Sequence, residues 1–552
     1  MDKKTLIDAV MGRVPYDLAL KNVNLIDVLG HTIRKSNIYI KDGYIAACGS
    51  FELDMPAEKE LDMQGRYAAP AFIDAHVHIE SSMLTPSQYA KLVIPKGVGT
   101  IIADPHEIAN VCGEDGLDFM LSDSAASPLN VCYMLPSCVP ATGFDSSGAV
   151  LDAATCKKLW EKGGFIGLAE MMNYPGLVYC DSDVLAKLDI TDKIDGHIPL
   201  ASGKSLQAYI CGGISNDHEC SSAEEALEKV SLGLNVYIRE GTGAKNLEAL
   251  IKAVTPYNMQ HFAFCTDDRH IDDVYNEGTI SNCISKAISL GMDAVTAFTL
   301  GSYNTARFYG LDKLGAIAPG YKADIVIMTE PDPKSENITA VYLGGKEYTE
   351  EDENAADTSA VTGTVHIKSV SAKVFRPVFS KDTPVISAQP GTLITTACYP
   401  ESADGLLICA NIERHKASGR VGTAFVKGFN ISGGAVAQTI GHDSHNITVM
   451  GDNAEDMALA VNSLGKDGGI AVVKDGRLIG SLTLEVGGIM SSKPYKQVLA
   501  DYEKTADAIK QISTDAPGSL LMILSFLSLI VIPELKLTDK GLFDVDKFEF
   551  MG

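Results

Sequence analysis

Two histidines, His76 and His78, close an apolar run with one valine between them. In an extended strand, residues two apart share a face. Both imidazoles therefore point the same way, just past the strand's end, and neutral imidazole is a ligand for divalent transition metals. An HxH pair by itself is usually chance; the company it keeps is what raises it. Comparable runs further along end in Asp104, His106 and Glu107, in Glu170, in His197, in His218, in Arg239 and Glu240, and in Asp267 and Asp268. Singly, each has a plainer reading, the histidines as packing residues and the carboxylates as helix caps. Jointly, His76, His78, His197 and His218 with Glu170 and Asp267 make a donor set suited to Zn, Mn or Fe. Six donors exceed what one catalytic ion needs if it keeps a position open. The count points to two ions sharing a bridging carboxylate. Such a pair lowers the pKa of a shared water toward neutrality, and a neighbouring carboxylate can move the protons.

Convergence of these residues requires a scaffold that presents strand ends together. Short apolar runs at 67–73, 100–103, 131–134, 165–168, 193–195, 209–212, 235–238 and 261–265 alternate with helical stretches such as 221–232 and 244–254. Two more helical stretches, 280–289 and 293–300, follow the last run. Eight strands with helical crossovers predict an α/β fold, a (β/α)8 barrel whose active site lies at the C-terminal strand ends. Before it, residues 1–66 read as short strands with an Asp42-Gly43 hairpin turn. After it, 311–360 reads as β structure and then an acidic, solvated linker from 350 to 360. The economical arrangement is one small β-sandwich domain formed by the segments before and after the barrel, which occupies 67–310. Residues 361–552 form a further α/β or α+β domain, with strands near 406–410, 422–425, 446–450 and 469–474 and helices at 453–464 and 494–512.

Composition sets the outer bounds. A chain of 552 residues is too long for one core. A net charge of −25 argues against nucleic acid or an anionic membrane as partner, though not against a small base as substrate. The twelve cysteines contain no CxxC pair, which fits a reduced cytoplasmic compartment better than a disulfide framework or zinc ribbon. The N-terminus lacks a signal-peptide apolar region, and the apolar run 520–532 is too short to span a bilayer and reads as a buried helix.

The order HxH after the first strand, His after the fifth and sixth, and Asp after the eighth resembles the amidohydrolase superfamily. Within it, the segments starting at His76, Ala103 and Cys265, and the run from Gly441 to Asn446 near the C-terminus, are similar to the bacterial adenine deaminases. The resemblance covers nearly the whole chain. It implies hydrolytic deamination of adenine to hypoxanthine and ammonia, in purine salvage or adenine catabolism. It also implies a binuclear metal site, Mn²⁺ ahead of Fe²⁺ and Zn²⁺, with attack of an activated hydroxide at C6. By the family pattern His76 and His78 hold one ion, Glu170 bridges where many relatives use a carbamylated lysine, and His197 and His218 hold the second ion. Asp267 touches the metal and shuttles protons, and with Glu170 it forms the catalytic pair.

Asp104, His106, Glu107, Arg239 and Asp268 are the remaining strand-end residues that could read the base, whose polar groups a buried site must satisfy. His442 and His445 fit a surface loop and the mouth of the site equally well. The C-terminal domain could close the site or form an oligomer interface, and a homo-oligomer, dimer or larger, is expected. Two other readings compete: a cyclic amidase of the dihydroorotase or hydantoinase type, which typically carries lysine where this chain has Glu170, and a barrel that has lost its metal. The zinc base deaminases built on HxE and PCxxC are set aside because the chain has no CxxC.

Overall fold

The computed structural model describes residues 2–51, 55–144, 146–351, 356–389 and 393–551. Its centre is the expected barrel. Eight parallel strands run in chain order: Phe72–His78, Val98–Ala103, Asn130–Leu135, Phe165–Met171, Ile194–Gly196, Asn216–Asp217, Asn235–Arg239 and Phe262–Cys265. The first five form one continuous ladder and the last three another. Between them the Ser215 N–H donates to the Ile194 carbonyl at 3.1 Å. The ring closes where Asp267–Asp268, just past the eighth strand, pairs in parallel with Val77 and His78. Closure thus falls on residues singled out for chemistry.

Two strand assignments are corrected. Residues 209–212, expected as the sixth strand, end the helix Gly203–Cys211 instead. Leu206 and Tyr209, three apart, are its buried face, and Gly213 at φ +91° turns the chain away. The true sixth strand, Asn216–Asp217, is polar yet buried, and so carries no apolar signature. Asn216 Nδ2 donates to Asp195 at 2.6 Å and Asp217 accepts from Lys229 Nζ at 2.9 Å. The run 67–73 is likewise two elements. Tyr67–Pro70 pairs antiparallel with Ile325–Met328 in the small sheet, and Phe72–His78 belongs to the barrel. The handover takes two residues: Ala71 N–H donates to Asp324 and Phe72 N–H to Gly97. Helix 244–254 reduces to Leu247–Leu250 and a 3-10 turn at Ile251–Ala253.

The small sheet runs in the order Lys346–Glu347, Ile338–Leu343, Ile325–Met328, Tyr67–Pro70, Leu18–Asp27, Thr32–Lys41 and Tyr44–Gly49, and an eighth strand, Lys59–Asp62, pairs in parallel with the start of Leu18–Asp27. Strands from before and after the barrel therefore lie side by side. Of the acidic linker expected at 350–360, residues 352–355 lie outside the described residues.

The C-terminal part contains an eight-stranded sheet. At its centre Leu407–Ile412 lies between Val421–Lys427 and Ile447–Gly451, antiparallel to both. The helices Ala454–Ser463 and Tyr495–Ile509 pack on this sheet. The apolar run near 520 is a helix, Pro517–Phe526, buried from Leu520 to Phe526. Among the described residues no helix is long and apolar enough to cross a membrane. All twelve cysteines are free thiols.

Candidate active site

Local structure aims the side chains. His76 and His78 end the first barrel strand with their Nε2 atoms 3.2 Å apart. His78 is oriented by its other ring nitrogen, 3.0 Å from the Asp104 carbonyl, a contact that fixes the imidazole from behind. Glu170 comes up on the fourth strand and divides its two oxygens. Oε1 lies 3.3 Å from His78 Nε2 and 3.8 Å from His76 Nε2. Oε2 lies 2.7 Å from His197 Nδ1 and 3.3 Å from His218 Nε2. From the eighth strand end, Asp267 Oδ1 reaches to 3.1 Å from His78 Nε2 and 3.6 Å from His76 Nε2. Asp267 holds a left-handed backbone at φ +57°, uncommon for a residue with a side chain. Pairing of Asp267 and Asp268 with the first strand holds it there.

All six residues are buried. Donor atoms of His76, His218 and Asp267 lie within 4.8 Å of one another, as do those of Glu170, His197 and His218. The ring nitrogens opposite those that face Glu170, His197 Nε2 and His218 Nδ1, are buried without a hydrogen-bond partner. Clustered imidazole nitrogens and carboxylate oxygens facing one another in a buried pocket fit a divalent metal ion. The electrostatics show the same mutual dependence. Burial alone would raise the Glu170 carboxyl, but His197, His218 and His78 hold it well below the usual carboxylate range. Burial would also raise Asp267, and Arg239, His76 and His78 hold it low. Burial, with His218 beside it, pushes His76 down.

The five residues expected to read the base separate into groups. Arg239 is committed: it pairs with Glu219 through both terminal nitrogens and donates to Asp267 Oδ2 at 2.6 Å. Asp268 caps no helix; Ser81 Oγ donates to its Oδ1 at 2.5 Å. Asp104, His106 and Glu107 sit at the second strand end. His106 Nδ1 lies 3.6 Å from Glu170 Oε1, between the donor cluster and the rest of the pocket. Glu107 is in contact with His442 Nδ1 and His445 Nε2 of the C-terminal part. Against burial, Glu107 and Asp268 carry the His442 imidazole up to about 9.

His442 and His445 are therefore not on a surface loop: they are 4% and 1% exposed, His442 lines the pocket, and His445 stands behind it against Glu107. The buried Arg414 holds their loop, donating through Nε to the His445 carbonyl and through Nη2 to that of Gly487 at 2.8 Å. Sequence reasoning missed Glu219, Asp443, Phe526 and Leu529, which line the same pocket. Glu219 had a signal, since it directly follows His218. Asp443 sits inside a motif already noted, between His442 and His445. Phe526 and Leu529 fall in or beside an apolar helix and had none.

Comparison with known proteins comes to the same region. Residues 67–348 match the model of the amidohydrolase family, and 392–549 match that of the adenine deaminase C-terminal domain. The chain is 42% identical to an adenine deaminase of Thermosipho africanus over 98% of this chain and 97% of that one. It is 40% identical to an adenine deaminase of Clostridium acetobutylicum over 99% of both. A crystal structure of an adenine deaminase aligns over 61% of this chain and 100% of that one, at 18% identity and a TM-score of 0.46.

Proposed function

We propose the chemistry of this site from the premise that the chain belongs to the amidohydrolase family, among its adenine deaminases. It is an enzyme that hydrolyses adenine to hypoxanthine and ammonia. Two divalent ions, Mn²⁺ first and Fe²⁺ second, would be held by His76 and His78 on one side and His197 and His218 on the other, with Glu170 facing both pairs. The observation that carries this reading is the division of Glu170, whose Oε1 faces the first pair and Oε2 the second. When bound, the metal supplies Lewis acidity and lowers the pKa of water.

The chain's own groups do the rest. Asp267 Oδ1, beside the histidines, accepts the proton of the attacking water and returns it to the departing amine. Arg239 anchors the opposite oxygen and fixes which one faces the reacting atoms. Asp104, His106 and Glu107 lie at the polar edge where ring nitrogens must find partners. Attack at C6 breaks the exocyclic C–N bond, so water's oxygen stays on the purine, one of its protons leaves with ammonia and the other ends on ring N1.

A cyclic-amidase reading is weaker because Glu170, not lysine, occupies the fourth strand end. The free thiols support a cytoplasmic setting, and the adenine reading supports purine salvage or adenine catabolism as the context. The open apolar face of helix Lys3–Val10, with Ile7, Val10 and Met11 exposed, supports a homo-oligomer, dimer or larger; light scattering tests it. For the activity, metal-stripped protein reloaded with Mn²⁺, Fe²⁺ or Zn²⁺ is assayed on adenine. Ammonia and hypoxanthine in equal amounts are expected, greatest with Mn²⁺, and neither product with any metal overturns the reading.

A further inference from the structure

The pocket beside the donor cluster is almost entirely ionic: its barrel side consists of imidazoles, carboxylates and Arg239, with Met172 the one apolar side chain it contributes among the described residues. A purine has polar edges but two apolar ring faces, and those faces need apolar surface. In this pocket that surface comes from the C-terminal domain. Phe526 and Leu529 line it, and the Phe526 ring stacks on His442 with centroids 4.4 Å apart at 28°. His442 and Asp443 enter beside them, and Asp443 Oδ1 lies 3.5 Å from His106 Nε2. Asp443 Oδ2 is buried without a hydrogen-bond partner, so the domain brings an unspent acceptor as well as an apolar wall.

We propose that the C-terminal domain is the base-holding half of the active site, with Phe526 packing against the purine ring and Asp443 accepting from a purine N–H. The inference rests on the adenine reading above. It also accounts for the size of the pocket, whose volume is about 20 Å³, room for one or two waters. A purine enters only if this wall withdraws. The larger cleft alongside, about 700 Å³, shares Met172 and His197 with the pocket and runs between Leu200 of the barrel and Val531 of the C-terminal domain. It is the route that such a withdrawal opens.

The test compares Mn²⁺-loaded wild type with Phe526→Leu, which keeps a bulky apolar side chain but removes the aromatic face, and with Asp443→Asn. Readouts are kcat and KM for adenine, competitive inhibition by hypoxanthine, and metal content. Stacking of a base on an aromatic ring supports about a tenfold rise in KM and in the hypoxanthine inhibition constant for Phe526→Leu. Its kcat should fall less than threefold, with wild-type metal content. Asp443→Asn should shift KM the same way, and because it keeps the size and shape of the side chain it answers even if the Phe526 variant fails to fold. Wild-type KM in both variants overturns the proposal, as does a loss confined to kcat or to metal binding. If the wild type itself releases no ammonia, the adenine reading fails and takes this inference with it. Wild-type turnover with unmoved variants sinks the inference alone.

Discussion

Arg239 Nη1 lies 2.6 Å from Asp267 Oδ2, while the other oxygen of Asp267 faces His78 at 3.1 Å. One carboxylate is thus shared between a fixed cation and the donor cluster. Arg239 is itself held by Glu219 on the other side. Breaking a buried charge pair by removing one partner costs about 3–5 kcal/mol, because the other charge is left behind. Arg239→Met strands two carboxylates at once. Turnover should fall by about 100-fold or more, each tenfold being about 1.4 kcal/mol, and steady-state kinetics on the metal-loaded protein check it. A kcat within a few-fold of wild type would show that Asp267 needs no anchor.

His76→Ala and Asp267→Asn should both abolish turnover without unfolding the barrel. They differ in metal: His76→Ala removes a donor outright, whereas Asp267→Asn removes chiefly the proton carrier and should retain part of the bound metal. Elemental analysis beside circular dichroism distinguishes them. Wild-type-like turnover in either variant breaks the assignment.

Lys229 is buried behind the site. Its Nζ donates to the Ile198 carbonyl at 2.8 Å and to Asp217 at 2.9 Å, one residue from His197 and His218 respectively. The lysine ties the two loops that carry this histidine pair. Supports of this kind typically matter by about 10–100-fold in metal affinity. Lys229→Met should weaken metal binding by about that factor in a chelator competition and lower the melting temperature. Unchanged affinity in a destabilised variant would confine Lys229 to folding.

Lys536 is buried, its ammonium donating to the Leu393 carbonyl at 3.0 Å. Burial pushes it down to about 7. In the unfolded chain it titrates near 10.4. Between those values the unfolded state binds the extra proton, so this group makes stability rise with pH from about 7 to about 10. Lys536→Met lacks the term. The variant should melt higher than wild type at pH 7, with the gap closing toward pH 10. Melting curves that run parallel across that range would contradict the assignment.

Much of the barrel was legible because its signals are local. An apolar run ending in a polar donor marks a strand and its catalytic end in the same few residues, as at His76, Glu170 and Asp267. Legibility failed where burial was polar. Asn216–Asp217 is a strand held by Asp195 and Lys229, with no apolar residue to announce it. At Pro70 one continuous apolar run serves two sheets, and only the pairing partners, Ile325–Met328 on one side and Val98–Ala103 on the other, divide it. The use of Arg239 could not be read either. The side chain was visible, but its distances to Glu219 and Asp267 were not.

The sequence by itself determined which residue types stand at the strand ends and in what order, since a strand's alternation and a helix's period are written in near neighbours. From these came the barrel and its set of imidazole and carboxylate donors. The tertiary structure decided what surrounds those donors. His445 meets Glu107 across 338 residues, and Phe526 arrives from a helix that reads as nothing but core. Contacts at that separation leave no local pattern: they exist only once two domains have folded and packed, and they place the C-terminal domain at the mouth of the barrel.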